Sequence, residues 1–201
     1  MADLIIVSGP QAVGKMTVAE KLRDKTNFRL MTNHDSIELS DVIFERGSAS
    51  QKEFSEAIRK AAFDAAVKNN INMIFTFVMA FDDKGDHKYI NKLRRKFEKS
   101  GGKFFFVELS TDLETRLKRN VTPHRLEKKP SKRDTEWTKK DILDTNEKYR
   151  LNSFEDEFIC ENHLKIDNTN LEPDEVADII IKKFKIKRKW YYEDYRSKEF
   201  I

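Results

Sequence analysis

A single cysteine, Cys160, occurs in the chain. That excludes an intramolecular disulfide and a multi-cysteine zinc site, and Cys160 reads as a small packed residue. Four prolines and six glycines are too few for a collagen-like or linker-like chain. No apolar run approaches the about 18 residues that a membrane span requires, so no membrane partner is expected. The opening MADLIIVSG has four consecutive apolar residues with no basic stretch before them. That is the pattern of a core strand, not of a signal peptide, and the cytoplasm is the expected compartment. Charge of one sign is also scarce in excess: 39 basic against 35 acidic side chains leaves a net +4. A nucleic-acid partner is therefore open but not favoured.

What is present is periodic. The 201 residues, with 38% hydrophobic and 37% charged side chains and 15 Phe, suit one domain with enough apolar surface to avoid disorder. Apolar runs at 4–8, 28–32, 71–80, 103–109 and 163–166 read as strands. Helical spacing appears at 17–25, 41–45, 54–68, 88–99, 112–120, 137–149 and 173–183. In the 54–68 helix, Phe54, Ala57, Ile58, Ala61, Ala62, Ala65 and Ala66 share one side. Ser110 or Thr111 reads as the cap of the 112–120 helix. The alternation predicts an α/β fold in three layers: a five-stranded parallel sheet with helices on both faces. Ligands of such sheets bind beyond the carboxyl ends of the strands.

At the first such end stands Gly9-Pro10-Gln11-Ala12-Val13-Gly14-Lys15-Met16-Thr17, the spacing G-x-x-x-x-G-K. Glycines let successive backbone N–H groups turn inward at phosphate oxygens. The following helix presents its positive end to the same anion, and the lysine reaches the β- and γ-phosphates. Gly9, Gln11, Ala12, Val13, Gly14, Lys15, Met16 and Thr17 are the expected nucleotide-binding residues. Where a Ser or Thr hydroxyl usually ligates Mg²⁺, this chain has Met16, whose soft thioether is a poor ligand for a hard ion. Thr17 holds the remaining hydroxyl, for the α-phosphate or the metal.

Around this loop lie weaker signals. Thr32-Asn33-His34-Asp35-Ser36 follows the second strand. Asp35 reads equally as a base for an acceptor hydroxyl and, with Asn33, as a helix cap; His34 reads as an ordinary loop histidine within reach of a substrate. Asp82, after the third strand, reads as a solvated turn or as a water-mediated Mg²⁺ holder. Residues 121–134 carry Pro123 and Pro130 among many charges and read as a mobile flap. With Arg116, Arg119, Arg125 and Arg133 they supply arginine forks that would neutralise a phosphoryl group in transit, although Glu114 and Lys118 also fit a salt-bridged helix face. Asn168-Thr169-Asn170 reads as an adenine edge or an Asx turn, and Arg59 as a surface residue or an anchor for an anionic acceptor.

GPQAVGKMT, NHDS, IFTFVMAFD, RLKRN with HRLEKKPSKRD, and IDNTNLEPDEVA together resemble small P-loop kinases over about residues 3 to 185. That group includes shikimate kinases, nucleoside monophosphate kinases, chloramphenicol phosphotransferases and the kinase domains of polynucleotide kinases. More narrowly, the chain is similar to bacterial ATP-binding proteins labelled shikimate-kinase-like or AAA-type. The resemblance implies a P-loop NTPase fold over residues 1–187 with a lid at about 120–135, and a basic, aromatic tail at 188–201. It implies ATP and Mg²⁺ as cofactors and phosphoryl transfer to a hydroxyl or phosphate of a small-molecule acceptor, by a monomer or homodimer. Lys15 would be the phosphate-loop lysine, Asp35 the activating carboxylate, Arg116 and Arg119 the arginines at the lid base, and Arg125 the lid arginine. The catalytic set would be Lys15, Asp35, Arg119 and Arg125, with Arg116 and Asn168 beside the nucleotide and Thr17 and Asp82 near the metal. Two departures matter. Met79-Ala80-Phe81-Asp82 replaces the glycine turn of shikimate kinases, which counts against shikimate, and the Asp-Gly…Pro-Arg signature of nucleoside monophosphate kinases is missing. A polynucleotide 5′-end kinase and a nucleotide-binding regulatory protein with weak ATPase activity are the alternative readings.

Overall fold

Continuous apolar runs form strands where both faces of a sheet are covered. β1 (Leu4–Ser8) is buried at every position, and β3 (Met73–Thr76) is as well. With β2 (Arg29–Thr32), β4 (Phe104–Ser110) and β5 (His163–Asp167) they form one parallel sheet in the order β2-β3-β1-β4-β5. The computed structural model describes residues 1–123, 133–155, 157 and 160–189; most of the expected lid, at 124–132, and the tail from 190 lie outside them.

The side-chain alternation of β1 and β4 divides the core in two. Ile5, Val7, Phe105, Val107 and Leu109 face α1 (Lys15–Lys25) and α7 (Pro173–Phe184), where Val18, Leu22, Val176 and Ile180 complete one cluster. Leu4, Ile6, Phe104 and Phe106 face the opposite way. There Phe63 of α3 (Ala49–Lys68) and Ile90, Leu93 and Phe97 of α4 (Lys84–Lys99) close the second cluster. Phe63 meets Phe75 edge-on at 5.2 Å, a favoured aromatic geometry. The remaining helices are α2 (Asn33–Asp41), α5 (Leu113–Asn120) and α6 (Thr135–Lys148). The expected three-layer α/β architecture is present. No helix of the described residues is long and apolar enough to cross a membrane. Cys160 is free and partly buried against the second cluster.

Several local expectations are corrected. The third strand ends at Thr76, four residues before the apolar run does; Phe77 still donates its N–H to the Val7 carbonyl at 3.0 Å before the chain leaves the sheet. The helix expected at 41–45 is instead the turn that ends α2. α3 does not bury its alanine stripe: Ala57, Ala61 and Ala65 are exposed, while Gln51, Ser55, Phe63 and Ala66 are buried. The cause is α2, which packs on α3 through small polar residues. Ser40 and Ser55 share a hydrogen bond of 2.8 Å, and Ser55 donates to the Ser36 carbonyl at 3.2 Å. The cap of α5 is Asp112, which accepts from the Thr115 N–H at 2.7 Å; neither Ser110 nor Thr111 takes that place.

Candidate functional site

The loop after β1 turns through three residues with positive φ: Gly9 at 136°, Ala12 at 60° and Gly14 at 108°. A Cβ on Gly9 would lie 2.4 Å from the Leu109 carbonyl oxygen, so only glycine lets the loop lie this close to β4. Gly14 begins α1 without a side-chain cap, and no acidic residue stands in the helix's first turn. That leaves the positive helix end to an anion. Lys15 folds back over the loop, its Nζ donating to the Gly9 and Pro10 carbonyls, each at 2.7 Å.

α5 and the segment after β5 hold this loop from outside. Arg116, only 3% exposed, donates from Nε to the Gln11 carbonyl at 2.9 Å and from Nη1 to Asn146 Oδ1 at 2.7 Å. Burial lowers its pKa to about 10, so it stays a cation at neutral pH. Arg119 donates to the carbonyls of Val13 at 3.0 Å, Asn168 at 2.9 Å and Thr169 at 3.1 Å. Asn168 adds a 2.8 Å bond from Nδ2 to the Val13 carbonyl. Both arginines and Asn168 thus bond to backbone carbonyls of the loop of residues 9–17 or beside it; Asn146 is a partner that sequence reasoning missed. Three buried atoms around the loop keep unmet hydrogen-bonding capacity among the described residues: Gln11 Oε1, Arg116 Nη2 and Asn168 Oδ1.

Beside Lys15 opens a cleft of about 180 Å³. Gln11, Ala12 and Lys15 form its phosphate-loop wall, and Asn33, His34 and Ile37 of α2 face it. Thr76, Phe77 and Val78 form the floor, and Asp141 reaches in from α6. Asn33 is steadied on both sides, its N–H by Thr76 Oγ1 at 3.2 Å and its Oδ1 by Arg59 Nη1. Arg59 therefore serves the cleft wall rather than a bare surface. Asp141, Thr76 and Phe77 carry no motif and were not legible as lining residues.

Asp35 does not line this cleft. Thr32 caps α2 and Asp35 closes the reciprocal capping box: Asp35 Oδ2 accepts from the Thr32 N–H at 2.6 Å and Oδ1 from Thr32 Oγ1 at 2.9 Å. Of its two readings from sequence, the structure displays the cap. Asp82 is exposed, and both its oxygens accept from the Arg150 N–H, at 3.2 and 3.1 Å, so it pins the chain beyond α6. Among the described residues no group of three acidic, histidine or cysteine side chains is placed to hold a metal. The donor set does not fit a protein-built Mg²⁺ site; Thr17 is the one hydroxyl in the first turn of α1. Arg125 lies outside the described residues.

A second buried charge lies in β4. Glu108, 1% exposed in β4, accepts from Asn152 Nδ2 at 2.9 Å, the Ser153 N–H at 2.8 Å and Ser153 Oγ at 2.7 Å, with His163 Nε2 at 3.4 Å. Burial pushes its carboxyl up, but the His163, Asn152 and Ser153 contacts outweigh it and the net direction is down. These bonds tie the segment after α6 to the sheet.

No protein-family profile matches the chain, and no curated protein does. Solved structures do match. A sugar kinase from a Janibacter species aligns at TM-score 0.55 and 16% identity over 92% of this chain and 96% of that one. An APS kinase from Mycobacterium tuberculosis, in complex with AMPPNP and APS, aligns at 0.57 and 12% over 92% and 98%. A shikimate kinase from Acinetobacter baumannii, in complex with shikimate, aligns at 0.54 and 16% over 92% and 93%. The fold is that of the small P-loop kinases. In the small P-loop kinase fold of this chain, the loop of residues 9–17 lies at the carboxyl end of the central strand β1, between β3 and β4.

Proposed function

We propose that the protein is an ATP-dependent kinase that transfers the γ-phosphoryl group to a small-molecule acceptor. The observation that carries this reading is the loop itself: positive φ at Gly9, Ala12 and Gly14, an uncapped helix start without acidic residues, and Lys15 at the rim of a cleft. This arrangement suits an anionic polyphosphate. The unmet groups on Gln11, Arg116 and Asn168 fit this reading, because buried polar atoms normally have a hydrogen-bond partner, which a bound ligand or water would supply.

In this reading the backbone N–H groups and Lys15 hold the β- and γ-phosphates. Arg116 and Arg119 keep the loop in its binding shape through the Gln11 and Val13 carbonyls, and Thr17 stands nearest the α-phosphate. Met16 would give Mg²⁺ no ligand, and Thr17 would be the one hydroxyl of the first turn within its reach; the ion would supply charge neutralisation on the phosphates. Loose phosphoryl transfer needs mainly position and charge neutralisation, which this wall supplies on the donor side. The cleft between α2 and β3 takes the acceptor.

The test is ADP release from ATP and Mg²⁺ across sugars, amino sugars, nucleosides, nucleotides and RNA 5′ ends. A kinase gives acceptor-dependent ADP and a phosphorylated product. ATP binding with no acceptor-dependent turnover would leave a nucleotide-binding regulatory protein.

A further inference from the structure

The capping box decides which side chain of Asn33-His34-Asp35 meets the acceptor. Thr32 occupies the cap position and Asp35 the third helical position, turned back onto Thr32. Successive residues of a helix point about 100° apart. With Asp35 committed to the cap, Asn33 and His34 line the cleft together with Lys15, and Asn33 Oδ1 is already taken by Arg59. Its Nδ1 is buried. We propose that His34 takes the proton from an acceptor hydroxyl, so that the acceptor is an alcohol and neither a phosphate nor a carboxylate. This inference rests on the kinase reading above.

The step balances without any further reactant. The acceptor oxygen forms its bond to the γ-phosphorus, and the bond from that phosphorus to the bridging oxygen breaks. ADP leaves with the electron pair, and the hydroxyl proton passes to an imidazole nitrogen and from there to water. An imidazole is suited to this work near neutral pH. The charged groups around it are Lys15 from the phosphate loop and Asp141 from α6, with Arg59 of α3 one residue away on Asn33 and Asp35 turned onto Thr32. The acceptor side points the same way. Ile37, Phe77 and Val78 make an apolar wall; of the described cations at the cleft, Lys15 belongs to the donor and Arg59 is engaged by Asn33 Oδ1. An anionic acceptor would call for arginine or lysine there.

The experiment compares wild type, His34→Asn, His34→Ala and Asp35→Asn with ATP and Mg²⁺, using water, sugars, amino sugars, nucleosides and a 5′-hydroxyl RNA as acceptors from pH 5 to 9. Thermal midpoints and AMPPNP affinity are measured on the same proteins. The proposal expects His34→Asn to lower kcat by about 10²–10⁴-fold, with the KM for ATP moved less than about threefold because donor contacts are untouched. The acid limb of the wild-type profile should disappear, and added imidazole should restore part of the His34→Ala turnover. Asp35→Asn should keep kcat within about threefold and instead lower the thermal midpoint, as loss of a cap does. Normal turnover with an intact acid limb in His34→Asn would overturn the proposal and leave the kinase reading standing. Loss of turnover in Asp35→Asn at unchanged stability would return the proton to Asp35. A wild type that binds AMPPNP yet phosphorylates nothing would remove the kinase reading, and this inference with it.

Discussion

At the scale of single residues, Gly9 and Lys15 do separable work. Gly9 holds φ 136° and has no room for a methyl group, since its Cβ would meet the Leu109 oxygen at 2.4 Å. Gly9→Ala should therefore cost at least about 2 kcal/mol of stability, lowering the thermal midpoint by about 5 °C or more, and should abolish ATP binding as well. Lys15→Ala removes the bonds to the Gly9 and Pro10 carbonyls, which lie within its own loop. The midpoint of the free protein should move little, while ATP affinity falls at least tenfold, about 1.4 kcal/mol, through loss of a charge-assisted phosphate contact. Calorimetry and thermal unfolding on the same two variants separate the roles; equal ATP affinity for Lys15→Ala and wild type would remove the lysine from the site. This loop was legible in the sequence because its residues are contiguous and each spacing has a physical meaning. Asp35 against His34 was not legible. The two differ by one step of helix phase, and that phase is fixed only when Thr32 is known to be the cap.

At the scale of elements, the contacts that shape the site cross long distances in sequence. Arg119 of α5 reaches Val13, Asn168 and Thr169. Its replacement by lysine loses the planar fork that serves three carbonyls. Arg119→Lys should speed amide exchange in the phosphate loop and lower ATP affinity several-fold, and unchanged exchange would deny the clamp. Glu108 ties β4 to the segment after α6, and its carboxyl is held below the ordinary range against the opposing effect of burial. A group with a lowered folded pKa adds stability above its unfolded pKa, and that stability is lost as pH falls through the folded value. Wild type should therefore exceed Glu108→Gln by about 1.5–3 kcal/mol near pH 7. The gap should narrow once pH drops below about 4.3, the usual glutamate value. Denaturant unfolding at several pH values checks this, and a gap constant from pH 7 to 3 would contradict it. In the run KFFFVEL, Glu108 gave no hint of this role. Its partners Asn152, Ser153 and His163 are brought to it by the sheet and by the turn after α6. The arginines were legible as a basic cluster, yet in the structure Arg116 and Arg119 hold carbonyls of the loop instead of reaching past it.

At the scale of the whole molecule, alternating strand and helix patterns were enough to read three layers. The sheet order β2-β3-β1-β4-β5 was not legible, since periodicity does not say which parallel strands are neighbours. That order gives the site its position. β1 is central, so its loop stands between α1 with α7 on one face and α3 with α4 on the other, and it touches α5 and the segment after β5 through side chains of Arg116, Arg119 and Asn168. A ligand in the loop is therefore coupled to most of the core. Because it binds the folded chain alone, ATP or AMPPNP with Mg²⁺ at one hundred times its Kd should add about 2.7 kcal/mol to stability. For a chain of this length that is a rise of about 5–10 °C in the thermal midpoint. AMP at the same concentration should give a smaller rise, because it lacks the phosphates that Lys15 reaches, and Lys15→Ala should lose most of the ATP effect while keeping most of the AMP effect. Thermal unfolding with each nucleotide measures this directly. Equal rises for ATP and AMP in wild type would mean that recognition stops at the α-phosphate, and the loop would then hold a nucleotide without presenting a γ-phosphoryl group to the cleft beside His34.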